Sequence, residues 1–337
     1  MQDRLDADVA AFKREGVVRA LRTANVETDV EPTLTVPPHD RRRVKLAYQR
    51  TKKSALIGFY GAGTHTIVPV PECKVARPEI LASLPKLCDL LRHGAPRKRA
   101  LAVTVTVSEG GLDVSVAEGK ELDMTLREAL GREAEVCDLA RLVWNGEQIA
   151  LRRPPVQRFG RVQVVPPPGA FLQASSVGET MLRDLVVEAV GETKSALDLF
   201  AGCGAFSLPL AERASVLAIE GEAAMMAALD AGWRNAEGLR AIAVETRDLF
   251  RRPLLPEELN KFEAAVFDPP RAGAQAQAAH LAQSRVPVVV GVSCMPGSFA
   301  RDARVLIDGG YRLERVVPVD QFRWSSHVEL VGVFRRT

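Results

Sequence analysis

Three side chains that can move protons or electron pairs stand at the ends of apolar runs. VGVSCMPGSFARD (290–302) carries Cys294 after small and β-branched residues and just before Met295, Pro296 and Gly297. By residue type such a thiol is a small core hydrophobe. The alternative is a nucleophile, because a helix beginning near Ser298 favours negative charge at its N-terminus and so lowers a thiol pKa. VFDPPRAGA (266–274) sets Asp268 ahead of two prolines, which make a stiff turn. DQFRWSSHVELVGVF (320–334) places Glu329 at the start of an apolar strand. A poorly hydrated carboxyl there has its pKa raised toward the range of a general base. The competing reading is an edge-strand acid pointing to water.

The elements that must position these groups alternate from about residue 175 onward. SALDLF (195–200), SVLAIE (215–220), AIAVET (241–246), EAAVFD (263–268) and VPVVVGVS (286–293) read as buried strands. Helices are predicted near 206–213, 222–235, 274–284 and 298–308, and the alternation predicts a parallel, doubly wound sheet. RLERVVPV and VELVGVF close it as an antiparallel hairpin. LDLFAGCGAF (197–206) lies where the first strand gives way to a helix, and Gly202 and Gly204 permit a tight turn and close approach to a ligand. A dinucleotide fingerprint would need a third glycine where Ser207 stands. With Asp198 before the turn and Glu220 ending the next strand, the stretch resembles the S-adenosylmethionine-binding pattern of class I methyltransferases. A carboxylate at Glu220 can accept from ribose hydroxyls.

The first half reads differently. Residues 3–22 predict an amphipathic helix, 78–92 a second one, and 43–48, 55–60, 65–70, 100–107 and 111–117 short strands, mostly antiparallel. VVPPPGAFLQA (164–174) reads as a bridge. The expected domains are 1–163 and 164–337. Residues 1–100 hold 19 lysines and arginines against 11 acids, and the remainder 26 against 31. RRRVKLAYQRTKK (41–53) and RHGAPRKR (92–99) concentrate the positive charge, so Arg41, Arg42, Arg43 and Lys45 are candidates for binding a polyanion such as RNA. A solvated strand face explains the same charges equally well. The five cysteines (Cys73, Cys88, Cys137, Cys203, Cys294) include no CxxC pair, which argues against a disulfide framework or a zinc site and for a reducing, cytoplasmic setting. The charged N-terminus lacks an apolar signal core, and no apolar run approaches a membrane span.

FLQA, LDLFAGCG, DPPRAGA, SCMPGSFARD and DQFRWSSHVE occur in that order, and together they resemble the bacterial RNA (uracil-5-)-methyltransferase family, strongly over about 160–337. The resemblance implies a Rossmann-like class I methyltransferase domain after a smaller α+β RNA-recognition domain. It implies S-adenosylmethionine as cofactor and 5-methyluridine as product. Cys294 would add to uracil C6, and Glu329 would remove the C5 proton. Gln173, Asp198, Phe200, Gly202, Gly204 and Glu220 would hold the cofactor, and Asp268 would sit by the cofactor and the uracil edge. RNA is the expected partner, 23S rRNA ahead of tRNA, for a monomer that neither needs a metal nor meets a membrane. RNA cytosine-5 methyltransferases carry a cysteine in the DPP turn, and this chain has Arg271 after the prolines instead.

The chain departs from the family pattern at Met295 and Ala205, where asparagine is usual, and at Arg323 and Ser325 or Ser326. Cys73 matches one of four cysteines that hold a four-iron four-sulfur cluster in many ribosomal members. Its three partners are missing, and one thiolate cannot hold a cluster, so neither a cluster nor an N-terminal oligonucleotide-binding barrel is expected. Two other classes compete: a methyltransferase of small molecules, which the basic first half disfavours, and a catalytically silent RNA-binding relative, which the presence of both Cys294 and Glu329 disfavours.

Overall fold

The computed structural model describes residues 4–51, 54–61 and 63–337; Lys52 and Lys53 of the basic stretch lie outside them. The chain forms two units. One comprises the residues up to Val36, Arg158–Val164 and Val177–Thr337, the other Pro37–Gln157 and Val165–Ser176.

The larger unit is built on strands β1 (Ser195–Leu199), β2 (Ser215–Glu220), β3 (Ile242–Thr246), β4 (Ala264–Phe267), β5 (Val288–Ser293), β6 (Tyr311–Asp320) and β7 (Glu329–Arg336). Their order across the sheet is β6-β7-β5-β4-β1-β2-β3, and the short strand Leu34–Thr35 extends it parallel to β6. β1 to β5 are parallel, while β7 runs antiparallel between β5 and β6. Every residue of β4 and β5 is buried, as in a sheet covered on both faces. The doubly wound sheet and its closing hairpin therefore match the reading of the sequence. β1 neighbours β2 on one side and β4 on the other. Chain order reverses there, which opens a crevice at the carboxyl ends of the strands.

The division differs from the cut expected at 163/164. Helix Asp6–Thr23 buries Val9, Lys13, Val17 and Leu21, spaced four apart on one face, and packs on helix Pro296–Asp308. Val17 and Leu21 join the larger unit's core with Phe299, Ala303 and Leu306. Residues 4–36 thus belong with Val177–Thr337, because their apolar stripe is covered there. Residues 165–176 instead join the smaller unit. The carbonyls of Pro166, Gly169 and Gln173 accept from Arg141, Arg43 and Arg42.

In the smaller unit seven described strands run in the order Ile67–Pro69, Ala55–Tyr60, Arg43–Arg50, Leu101–Ser108, Gly111–Ala117, Arg141–Trp144, Glu147–Leu151. Pairing is antiparallel except between Gly111–Ala117 and Arg141–Trp144, which helix Met124–Val136 connects. That helix and Pro78–Gly94 supply Leu84, Leu87, Leu91 and Leu130 to the core beneath the sheet. No described helix is long and apolar enough to cross a membrane.

Arg42 does not face outward. It is 4% exposed, and its guanidinium donates to Gln157 Oε1 and the Gln173 carbonyl. Arg42→Ala is expected to destabilise this unit by about 1–3 kcal/mol through the loss of a buried charged donor. Lys45→Ala, at an exposed site, should change stability by less than about 0.5 kcal/mol. Urea unfolding of the two variants measures the contrast.

Candidate active site

β1 carries Asp198 fully buried into the glycine turn. Its Oδ2 accepts from Ser207 Oγ at 2.5 Å, so the residue standing in place of a third glycine serves the acid. Burial first, and the nearby Glu220 charge after it, push the Asp198 carboxyl up to about 7 against the Ser207 hydrogen bonds. Phe200, Gly202 and Gly204 all have positive φ. A Cβ on Gly204 would lie 2.8 Å from Leu229 Cγ, so helix Ala223–Arg234 can approach only a bare backbone there. Glu220 ends β2 and accepts from the N–H groups of Gly202, Gly221 and Glu222 at 3.2, 2.6 and 3.1 Å. Those bonds fix the carboxylate beside the turn. The Phe200 ring packs on Phe250 with centroids 5.5 Å apart.

β4 ends on Phe267, and Asp268 N–H then donates to the Leu199 carbonyl, joining the DPPR turn to β1. Gly273 closes this turn at φ +78°, where a Cβ would lie 2.6 Å from Asp302 Oδ2. Asp302 accepts from Ala274 N–H at 2.7 Å, and Arg301 donates to the Ala272 carbonyl at 2.9 Å. The Arg-Asp pair on the helix after Cys294 thereby ties that helix to the DPPR turn.

β5 and β7 pair antiparallel as far as Ser293 with Leu330, which brings Cys294, just after Ser293, and Glu329, just before Leu330, to the same end of the pair, close enough for the Glu329 charge to act on the thiol. The Met295 backbone holds the loop: its N–H donates to Ser293 Oγ, and its carbonyl accepts from Ser298 Oγ. The methionine side chain takes no part in these bonds. Glu329 is 3% exposed. Burial pushes its carboxyl up to about 7, against the opposing pull of a Gln321 hydrogen bond and the Arg271 charge. Asp268 is half-buried as a residue, yet its carboxyl is desolvated and held well above the carboxylate range, with Glu329 and Asp198 adding repulsion.

The half-buried Cys294 thiol is also pushed up, first by burial and then by Glu329 and Asp268, while Arg271 opposes them. This reverses the expectation that a helix N-terminus would lower it. The helix begins two residues later, at Pro296, which has no N–H to offer, and two carboxyl groups stand closer in effect than the dipole. The resting site therefore favours a neutral thiol beside a protonatable base.

The family model for tRNA (uracil-5-)-methyltransferases matches residues 163–337. The chain belongs to that family. It is an RNA (uracil-5-)-methyltransferase, a transferase with the Rossmann-like methyltransferase fold. An "uncharacterized RNA methyltransferase" of Brucella suis is 43% identical over 98% of this chain and 80% of its own length. The 23S rRNA (uracil(1939)-C(5))-methyltransferase RlmD of Haemophilus influenzae is 28% identical over 87% of this chain and 69% of its own. The Pyrococcus abyssi tRNA (uracil-54, C5)-methyltransferase, solved in complex with S-adenosyl-L-homocysteine, matches with a TM-score of 0.78 over 98% of this chain and 82% of that one. At 23% identity this last likeness establishes the shared fold.

Of the residues singled out in this methyltransferase's sequence, Asp198, Phe200, Gly202, Gly204, Glu220, Asp268, Cys294 and Glu329 meet at the carboxyl edge of one sheet. Gln173 belongs to the smaller unit, where it is buried. Arg41 and Arg43 are half-buried there, and burial lowers both guanidinium pKa values; Lys45 is exposed. Two contributors went unrecognised. Arg271, the cation that opposes both carboxyls' effect on the thiol, was signalled by its position in DPPR. Gln321, which bonds Glu329, carries no local signal because the contact exists only through the β6–β7 turn.

The Glu329 value of about 7 lies above the ordinary 4.5, so the folded state prefers the protonated acid. The resulting penalty is absent below about pH 4.5, grows as pH rises, and is complete above about pH 7. Glu329→Gln is therefore expected to stabilise the protein at pH 8 by up to about 3 kcal/mol and to change little at pH 4.5. Urea unfolding at the two pH values tests the sign.

Proposed function

We propose that this methyltransferase forms 5-methyluridine in 23S rRNA by covalent catalysis through Cys294. The observation that carries the mechanism is the placing of Cys294 and Glu329 at the same end of the β5–β7 pair, on the edge that also bears the glycine turn and Glu220. The site suits S-adenosylmethionine. Glu220 is oriented by three backbone N–H groups and retains acceptor capacity for hydroxyls. A Cβ built on Gly202 meets nothing within 4 Å, so the turn is open on that side. When bound, the cofactor supplies a methyl group on a sulfonium.

Uracil C5 is too weak a carbon nucleophile to take that methyl group unaided. Cys294 gives its proton to solvent, and the thiolate, favoured by Arg271, adds to C6; the displaced electron pair makes C5 enolate-like, with charge on O4. Burial shifts the Asp268 carboxyl toward its protonated form, in which it can donate a hydrogen bond where that charge develops. C5 then takes the methyl group. The Glu329 carboxylate removes the C5 proton, the C–H electrons form the C5=C6 double bond, and the C6–S bond breaks to return the thiolate. The target base must leave its stack for Cys294 to reach C6. Lys45 and the half-buried Arg41 and Arg43 are the smaller unit's candidates for phosphate contacts.

The ribosomal substrate is favoured by the identity to the Haemophilus enzyme over most of the chain and by the form of the SC…ARD and HVE motifs. Transfer RNA is the second reading, favoured by the matched family's description.

With RNA containing 5-fluorouridine and S-adenosylmethionine, the wild-type protein is expected to form an adduct stable to denaturation, since Glu329 cannot remove fluorine. Cys294→Ala should form none and lose turnover by more than about 10³-fold. An adduct that persists in Cys294→Ala excludes this nucleophile. Mass-spectrometric mapping of 5-methyluridine in a deletion strain should show one site lost from 23S rRNA; loss from tRNA would establish the second reading instead.

A further inference from the structure

We infer that Lys13 is a positioning residue for Glu329: its ammonium grips the residues on either side of Gln321, whose side chain holds the Glu329 carboxyl. The inference rests on the reading of Glu329 as the base.

Lys13 occupies an otherwise apolar stripe with Val9, Val17 and Leu21, and its side chain is fully buried. The ammonium binds the Asp320 carboxylate and donates to the Phe322 carbonyl at 3.0 Å. Asp320 Oδ1 also accepts from Phe322 N–H at 3.0 Å. These bonds bracket Gln321, which is 3% exposed and hydrogen-bonds Glu329. Asp320 ends β6 and Glu329 begins β7, so the gripped residues open the connection that leads to the base. The next residue, Arg323, is held by the same N-terminal segment, pairing with Asp6 at 2.5 Å and donating to the Val36 carbonyl at 2.7 Å.

A hydrophobic residue would suit this helix position better. Burial lowers the Lys13 pKa, Asp320 counters it, and Arg323 adds repulsion. A buried ion pair is a poor source of stability, since well-packed apolar side chains of similar volume often replace it without loss. What methionine could not supply is two directed bonds spaced around one glutamine. Without them the backbone on either side of Gln321 loses two anchors, and the Glu329 carboxyl that Gln321 bonds loses part of its fixed aim. A base acting at one carbon tolerates little misplacement.

The test compares Lys13→Met/Asp320→Asn with Glu329→Gln and wild type. The double substitution removes both charges, while the asparagine oxygen can still accept from Phe322 N–H. Each protein is mixed with S-adenosylmethionine and unmodified 23S rRNA and tRNA transcripts. Thermal midpoint, kcat, KM for each substrate and the fraction of RNA covalently bound on a denaturing gel are measured. The expected double variant folds with a midpoint near wild type, keeps both KM values, and loses about 10- to 100-fold in kcat. It also accumulates methylated RNA–protein adduct, as Glu329→Gln does, because only proton removal and elimination are slowed. Wild-type kcat, a reduced kcat without adduct, or failure to fold would each overturn the inference, the last because the pair would then serve stability. If Glu329→Gln itself accumulates no adduct, the base reading falls and this inference with it. If only the folded double variant fails to accumulate adduct, the base reading stands and Lys13 loses its role.

Discussion

A thiol and two carboxyl groups share one poorly hydrated sheet edge with Arg271, and the limit this sets on negative charge governs the site. Two like charges about 4 Å apart repel by about 4 kcal/mol at an effective dielectric of about 20. Burial is the larger influence at Cys294, Asp268 and Glu329 alike, and Glu329 adds repulsion to the other two. Protons are therefore held by the group and not by one residue, and their titration is a joint property. Thiolate formation is easiest while a neighbouring carboxyl is neutral, and Arg271 favours the anion at both Cys294 and Glu329. Burial alone keeps Glu329 able to exchange a proton near neutrality, since Gln321 and Arg271 both pull the other way.

Such a site needs its members held apart and in register. The β5–β7 pairing does this for Cys294 and Glu329, since a slip of one strand by one residue would turn its own member to the opposite face. The DPPR turn is fastened to β1 through Asp268 N–H and to the Cys294 helix through Arg301 and Asp302. The N-terminal helix contributes Lys13 and, beyond it, a parallel strand on β6. The N-terminal segment thus braces the β6–β7 connection.

Much of the large sheet was legible because its signals are local. Five short apolar runs separated by helical periods specify parallel strands, and the glycine turn and the acids at strand ends follow from their positions. The small helix Pro256–Leu259 was not anticipated, being a single turn without periodicity. The domain boundary failed because the stripe on Asp6–Thr23 does not say what it packs against. Arg42 was masked by its neighbours in a run of arginines: positions 42, 44 and 46 all face inward, so alternation marked it as a core position while charge suggested a surface one.

The ordered motifs, the residue types at the ends of β1, β2, β4, β5 and β7, and membership of the family were determined by the sequence alone, since each depends on neighbours a few residues away. Which of these groups carry protons, and which way the Cys294 pKa moves, was decided only by the tertiary structure. Desolvation and charge act through space: Asp268, Cys294 and Glu329 come from segments far apart in the chain, and their shared burial exists only once the strands are paired. The same holds for Lys13, an unremarked member of a helical stripe until folding set it against Asp320.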